Sequence, residues 1–184
     1  RPLAKLPHLW RPLASTGTEI RRLLAEVVAL TEKRYRQGNR WPKLVVAVNE
    51  VVEVARIGGP PAVAALTHLT RRGRETGVHL VASTQKPTSS LLEPLLKGNL
   101  PTRIVGLVAD SKEAQVASGM ADSGAEKLEH AGQFIAVVRN QITRFQSSWL
   151  TENTIRQTVS FLADRTSNWD ARLQLSRGEQ EISV

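Results

Sequence analysis

Hydrophobic and polar positions alternate in a way that marks out most of the secondary structure. Thr16-Gly17-Thr18-Glu19 fits a capping box, and Ile20, Leu23, Leu24, Val27 and Leu30 then recur at helical spacing to about Arg36. Arg21, Arg22, Lys33, Arg34 and Arg36 lie mostly off that stripe, and Gly38-Asn39 supplies the stop. The continuous run Leu44-Val45-Val46-Ala47-Val48 predicts a strand buried on both faces of a parallel sheet. Arg56-Ile57-Gly58-Gly59-Pro60-Pro61 reads as a loop, with Pro61 in the first turn of a helix reaching about Arg72. Val78 to Ser83 predicts a second strand, which continues into Thr84-Gln85 and is stopped by Pro87. A short helix is expected over 89–97 and a third strand from Thr102 to Val108.

Asp110-Ser111-Lys112-Glu113 is a second capping-box match, opening a helix to about Ser118. Gln133–Val138 and Ile142–Ser148 flank Arg139-Asn140-Gln141 as a hairpin. Thr151 caps a last helix to about Ala163, and residues 165–184 carry little periodicity. Strands alternating with helices predict an α/β fold with a mainly parallel sheet, flanked by helices and carrying an antiparallel hairpin at an edge. One core over residues 1–164 and a polar, extended or disordered tail over 165–184 complete the expected organisation.

Composition narrows the chemistry. The 184 residues contain no Cys, which excludes disulfides, thiolate metal sites and a cysteine nucleophile. No apolar stretch approaches the ~20 residues needed to span a bilayer. The chain begins at Arg1 rather than Met and carries no signal-peptide pattern, so it is expected to be a piece of a longer protein. A net charge of +8 suits a polyanion such as nucleic acid, or simply a solvated basic surface; charge alone weighs the two evenly. Trp10, Trp41, Trp149 and Trp169 are scattered, which argues against a stacking platform for single strands. His79 lies inside a predicted strand and reads as a buried, hydrogen-bonded histidine. His8, His68 and His130 lack ligand spacing.

Two polar residues, Asn49-Glu50, sit at the C-terminal end of the first strand, where open α/β sheets place ligands. On spacing alone Glu50 reads first as an ordinary charge, Asn49 as a turn residue and Gln85 as unremarkable.

Three longer motifs change that weighing. Gly77-Val78-His79-Leu80-Val81-Ala82-Ser83-Thr84-Gln85-Lys86-Pro87 resembles the "GIHLVLATQRP" stretch of the FtsK/SpoIIIE family of DNA-translocating motor ATPases, within the HerA–FtsK group. Leu96 to Ile104 resembles "IKANIPTRIA", and Ser123 to Leu128 with Gly132 resembles "GGAEKLLGxGDM". Glu32-Lys33-Arg34-Tyr35 is similar to the family's "MERRY" helix end. The resemblance runs from about Pro7 to Val159 and implies a RecA-like core in which Leu44–Glu50 is the Walker B strand.

In the complete motor it implies ATP and Mg²⁺ as cofactors, double-stranded DNA as substrate and a homo-oligomeric, hexameric ring. It also implies a cytoplasmic location, in a full-length parent that could be membrane-anchored, and a role in chromosome segregation or conjugative DNA transfer. Glu50 would be the general base or water-orienting group, Gln85 the γ-phosphate sensor and Thr84 its support. Arg72, Arg74 and Arg103 would be candidates for an arginine finger acting on a neighbouring subunit. The segment Arg56 to Pro61 would correspond to a DNA-contacting pore loop and Lys86 to Lys97 would border another, making Arg56, Lys86 and Lys97 candidate phosphate contacts.

Two departures bear on activity. The family has Asp-Glu after the Walker B strand where this chain has Asn49-Glu50, so the metal-linked position loses its charge and Mg²⁺ binding is expected to weaken. The phosphate-cradling GxxxxGK[ST] occurs nowhere in the chain, so it alone is not expected to hydrolyse ATP. A degenerate, non-hydrolysing member acting as a structural or DNA-binding subunit, and a related protein-secretion ring ATPase, are the alternatives.

Overall fold

A computed structural model describes residues 2–87 and 100–165. The predicted helix over 89–97, Lys97 and the tail after 165 lie outside the described residues. The chain divides into two compact units, Ala14–Ser147, and Arg1–Leu13 together with Ser148–Val184.

In the larger unit, helix α1 (Gly17–Gln37) starts at Thr16 by the predicted capping box. Thr16 Oγ1 accepts from the Glu19 N–H at 3.3 Å, and Glu19 Oε2 accepts from the N–H groups of Ser15 (2.9 Å) and Thr16 (3.0 Å). Those N–H donors, that of Ser15 first, pull the Glu19 carboxyl down to about 2. Gly38 ends the helix in the left-handed conformation, φ 64°, which an L side chain rarely adopts. Ile20, Leu24, Val27, Thr31 and Arg34 form the buried stripe. The Arg34 guanidinium donates to the Thr76 carbonyl at 3.2 Å, and its burial lowers its pKa.

Strand β1 (Leu44–Val48) leads directly into helix α2 (Val51–Arg72). The expected loop over Arg56–Pro61 is therefore a correction: it is helical on both sides of a single kink at Gly59 (φ 66°, ψ −165°). Gly59 alone takes the non-helical geometry, and Pro60 and Pro61 then fall on the first turn of the second segment, where a missing N–H costs little. The buried residues Val51, Ala55, Gly58, Ala62, Leu66 and Leu69 keep one stripe across the kink and pack against α1. A Cβ at Gly58 would collide with Ala62 Cβ and crowd Ile20 Cγ2, so this crossing depends on a residue without a side chain. The far end of the seam is polar: His68 Nε2 lies 3.0 Å and Arg72 3.9 Å from Glu32, and the Arg72 guanidinium sits 4.4 Å from the Tyr35 ring centroid.

Strand β2 (Val78–Ala82) pairs with β1 in parallel, Leu44 opposite Val78 through Val48 opposite Ala82. The apolar run of β1 is not buried on both faces as expected. Val48 and Val78 face the core, whereas Val45 and Val81 are 62% and 59% exposed, and Ala47 and His79 are exposed with them. His79 is accordingly a surface residue, not the buried histidine its strand position suggested. The helices cover one face only, and no described element covers the other.

Strand β3 (Thr102–Val105) pairs antiparallel with β4 (Gln133–Val138), which pairs antiparallel with β5 (Gln141–Gln146). The hairpin turns at Arg139 and Asn140, both with positive φ (50° and 63°), as a two-residue turn matched to strand twist requires. Its core gathers Val105, Ala114, Ala125, Leu128, Ile135 and Val137. Helix α3 (Ser111–Ser118) is capped by Asp110, whose Oδ1 accepts from the Glu113 N–H at 2.8 Å; Glu113 reaches back to the Ala109 N–H at 3.0 Å.

The smaller unit packs a 3₁₀ turn, Pro2–Lys5, against helix α4 (Glu152–Arg165). Thr151 Oγ1 accepts from the Thr154 N–H at 3.1 Å, as the predicted cap requires. Among the described residues no helix is long and apolar enough to cross a membrane.

Candidate functional site at the strand ends

The parallel register of β1 and β2 brings Asn49-Glu50 beside Ser83-Thr84-Gln85 at one end of the sheet. The backbone ladder continues past both strands: the Ser83 N–H donates to the Val48 carbonyl (2.9 Å) and the Val51 N–H to the Ser83 carbonyl (2.8 Å). Asn49 and Glu50 carry the chain from strand to helix, and Glu50 adopts φ 51°, a left-handed conformation uncommon for Glu and a sign of a constrained position. Its carbonyl accepts from the N–H groups of Glu53 (2.9 Å) and Val54 (3.0 Å), so the strain is held by the first turn of α2.

A second layer of bonds runs through side chains. The Ser83 hydroxyl donates to Asn49 Oδ1 at 2.9 Å and accepts from the Glu50 N–H at 3.4 Å. The Gln85 N–H donates to Glu50 Oε2 at 3.2 Å, which aims the carboxylate across the strand ends. Thr84 Oγ1 accepts from the Lys86 N–H at 3.0 Å. The structure thus brings together Asn49, Glu50, Thr84, Gln85 and Lys86.

The other candidates lie apart. Arg74 is exposed in the 3₁₀ turn Gly73–Thr76 that precedes β2. The six residue steps from Gly77 to Ser83 span ~20 Å at the rise of a strand, so Arg74 and Glu50 lie at opposite ends of the sheet. The last turns of α1 and α2 carry Arg34, Arg36, Arg71 and Arg72, and Arg34, Tyr35, Gly38, Arg40 and Glu75 line a cavity of about 230 Å³. Arg103 donates to the Val116 and Ala117 carbonyls (3.3 and 3.4 Å) at the C-terminus of α3, where a cation offsets the negative end of the helix dipole. Arg56 is exposed on α2 and holds Glu53 through two bonds, 2.9 and 2.5 Å. That pairing lowers the Glu53 pKa and raises that of Arg56.

The strand ends do not fit Mg²⁺. The cation prefers charged oxygens, and here the first position offers one neutral oxygen already bonded by the Ser83 hydroxyl. Among the described residues no three acidic or histidine side chains gather as a metal site. Nor does the sequence supply a phosphate cradle. What the geometry offers is a constrained carboxylate, held by the Gln85 N–H, next to an exposed carboxamide.

Ser83 is the member of this network that sequence reasoning missed. The signal was there: "GIHLVLATQRP" has Ala where this chain has Ser83, so Asn49 and Ser83, each a departure from the family's residues, fall on hydrogen-bonded partners.

No protein-family model matches the chain. Curated relatives are named DNA translocase FtsK. That of Tropheryma whipplei is 26% identical over 186 residues, covering 85% of this chain and 25% of the relative. That of Lactococcus lactis subsp. cremoris is 24% identical over 189 residues (88% and 25%), and that of Staphylococcus aureus 24% over 188 residues (87% and 24%). The chain therefore spans about a quarter of the length of the curated relatives it matches.

Among solved structures, the conjugation coupling protein TcpA of pCW3, in a monomer form with ATPγS, superposes with a TM-score of 0.70 at 19% identity, covering 83% of this chain and 51% of that one. The type VII secretion ATPase EccC of Thermomonospora curvata gives 0.63 at 18% (79% and 20%), and EssC of Geobacillus thermodenitrificans 0.62 at 17% (91% and 35%). The chain is similar to proteins named DNA translocase FtsK over 85–88% of its own length, and it carries the RecA-like α/β fold.

Proposed function

We propose that this chain is one half of the motor core of an FtsK-type, ATP-driven translocase of double-stranded DNA, the half that lacks the phosphate cradle. The observation that carries this reading is the Asn49-Glu50 pair set beside Ser83-Thr84-Gln85 at the C-terminal ends of adjacent parallel strands. Glu50 is the water-orienting carboxylate, with its Oε2 fixed by the Gln85 N–H. The Gln85 carboxamide, which has no partner among the described residues, is the group left to sense a phosphate. ATP would be cradled by a GxxxxGK[ST] segment that these 184 residues do not contain.

Arg74 acts on a neighbouring subunit in a homo-oligomeric, hexameric ring. Its place at the end of β2 opposite to Glu50 suits action in trans and not in cis. Arg103 is the weaker candidate, since it closes α3. Exposed Lys86 and Arg56 contact DNA phosphates, with Arg56 exchanging Glu53 for phosphate. The setting is the cytoplasm, in chromosome segregation or conjugative transfer.

One observation favours the second reading, a non-hydrolysing member serving as a structural or DNA-binding subunit: the metal-linked position is an amide whose oxygen is already bonded to Ser83. Both readings predict that this chain releases no phosphate from ATP, with or without DNA. A steady-state phosphate-release assay tests this, and turnover abolished by Glu50→Gln would overturn it.

A further inference from the structure

We infer that Ser83 is a positioning residue that locks the Asn49 carboxamide with its oxygen inward, so that this strand end presents a hydrogen-bond donor and excludes a divalent cation. The direction of the amide follows from counting protons. Ser83 Oγ accepts from the Glu50 N–H at 3.4 Å, which leaves its own proton to donate, and Asn49 Oδ1 at 2.9 Å receives it. Turned the other way, the amide would place its N–H against the same oxygen that accepts from Glu50, and the exposed hydroxyl would have to give its proton to solvent instead of to Asn49. The Nδ2 group is therefore the free arm. Asn49 is exposed, and Nδ2 has no partner among the described residues.

An N–H arm has no lone pair for a cation and carries partial positive charge. It suits an acceptor oxygen, from water or a phosphate, bound without a metal between. An aspartate would behave differently, because one oxygen could stay on Ser83 while the other faced outward. Asn49 and Ser83 thus act as a pair: the amide removes the charge, and the hydroxyl decides which amide atom is presented. This inference rests on reading Val48-Asn49-Glu50 as the strand end of a phosphate-handling site, but not on DNA being the substrate.

The test uses Mn²⁺ as an oxygen-seeking probe and the 184-residue chain, reading paramagnetic broadening of backbone amide signals by NMR. In the unaltered chain, broadening at Asn49 and Glu50 should not exceed that at Glu129, an exposed carboxylate that sets the background. N49D should bind Mn²⁺ at this position at least about tenfold more tightly, because a carboxylate replaces a neutral ligand. S83A frees the amide to turn its oxygen outward, so broadening at Glu50 should rise above background. S83T keeps the hydroxyl and should return it to background, an effect that a purely structural role for Ser83 would not produce.

Strong broadening in the unaltered chain, an S83A variant as silent as the parent, or an S83T variant that behaves like S83A would each overturn the inference. N49D keeps the test decisive if S83A does not fold. Loss of DNA binding in a separate assay would sink the translocase reading and leave this result standing.

Discussion

Replacing Gly59 by Ala probes the kink in α2 through backbone conformation alone. At φ 66° and ψ −165°, Gly59 occupies a region open almost only to glycine. Space is not the obstacle, since the only neighbour a Cβ would meet is Pro61 Cδ at 3.9 Å, ordinary van der Waals contact. The expected cost is therefore the conformational one, about 1–3 kcal/mol. For a unit the size of Ala14–Ser147, this lowers the melting temperature by about 3–10 °C. Gly58→Ala is the matched control, failing for a different reason: its Cβ collides with Ala62 Cβ.

Adding Ala62→Gly should recover part of the stability lost in G58A, less the ~1 kcal/mol that a helical glycine itself costs. It should recover none of that lost in G59A. Urea unfolding followed by circular dichroism gives all four free energies. A G59A variant within about 0.5 kcal/mol of the parent, or one rescued by A62G, would refute the kink and restore an open loop at Arg56–Pro61.

Other consequences are open to the same kinds of measurement. Leu66 is fully buried between α1 and α2, so Leu66→Ala should cost about 2–5 kcal/mol in urea unfolding. The folded-state pKa of Glu19, about 2, lies below its ordinary 4.5, so its contribution is full above the ordinary range and is lost as pH falls through 2. Glu19→Gln should flatten the stability–pH curve over that acid window and leave its shape near neutrality unchanged. Lys86→Ala should weaken duplex binding equally for unrelated sequences and reduce the steepness of its salt dependence by about 1.

Local chemistry was legible wherever one residue type decides the geometry. Thr16 with Glu19, Gly38, Asp110 with Glu113, the Arg139-Asn140 turn and Thr151 all stand where their hydrogen-bonding capacity or left-handed tolerance placed them. Pattern failed where the answer depends on what lies across space. Gly58-Gly59-Pro60-Pro61 has the composition of a loop, yet only Gly59 leaves helical geometry, because the stripe from Val51 to Leu69 stays in phase against α1. The run Leu44–Val48 cannot reveal how many of its faces are covered, and one of them, with Val45, Val81 and His79, is open among the described residues.

At the site, the sequence pointed to Asn49, Glu50 and Gln85 but read Asn49 as a defect standing by itself. Ser83 supplies the partner, and only the parallel register, which sets Val48 opposite Ala82, brings the two together. Arg103 shows the converse: a position matching the family's motif whose guanidinium is occupied at the end of α3.

Binding of this chain to duplex DNA of unrelated sequences, followed by fluorescence anisotropy across a series of salt concentrations, bears most directly on the translocase reading. Phosphate contact by a chain of net charge +8 predicts similar affinity for every sequence, with log K falling linearly against log salt at about −0.9 per phosphate neutralised. Absence of binding at low salt, or binding that salt leaves unchanged, would contradict a DNA translocase and favour a ring that moves protein.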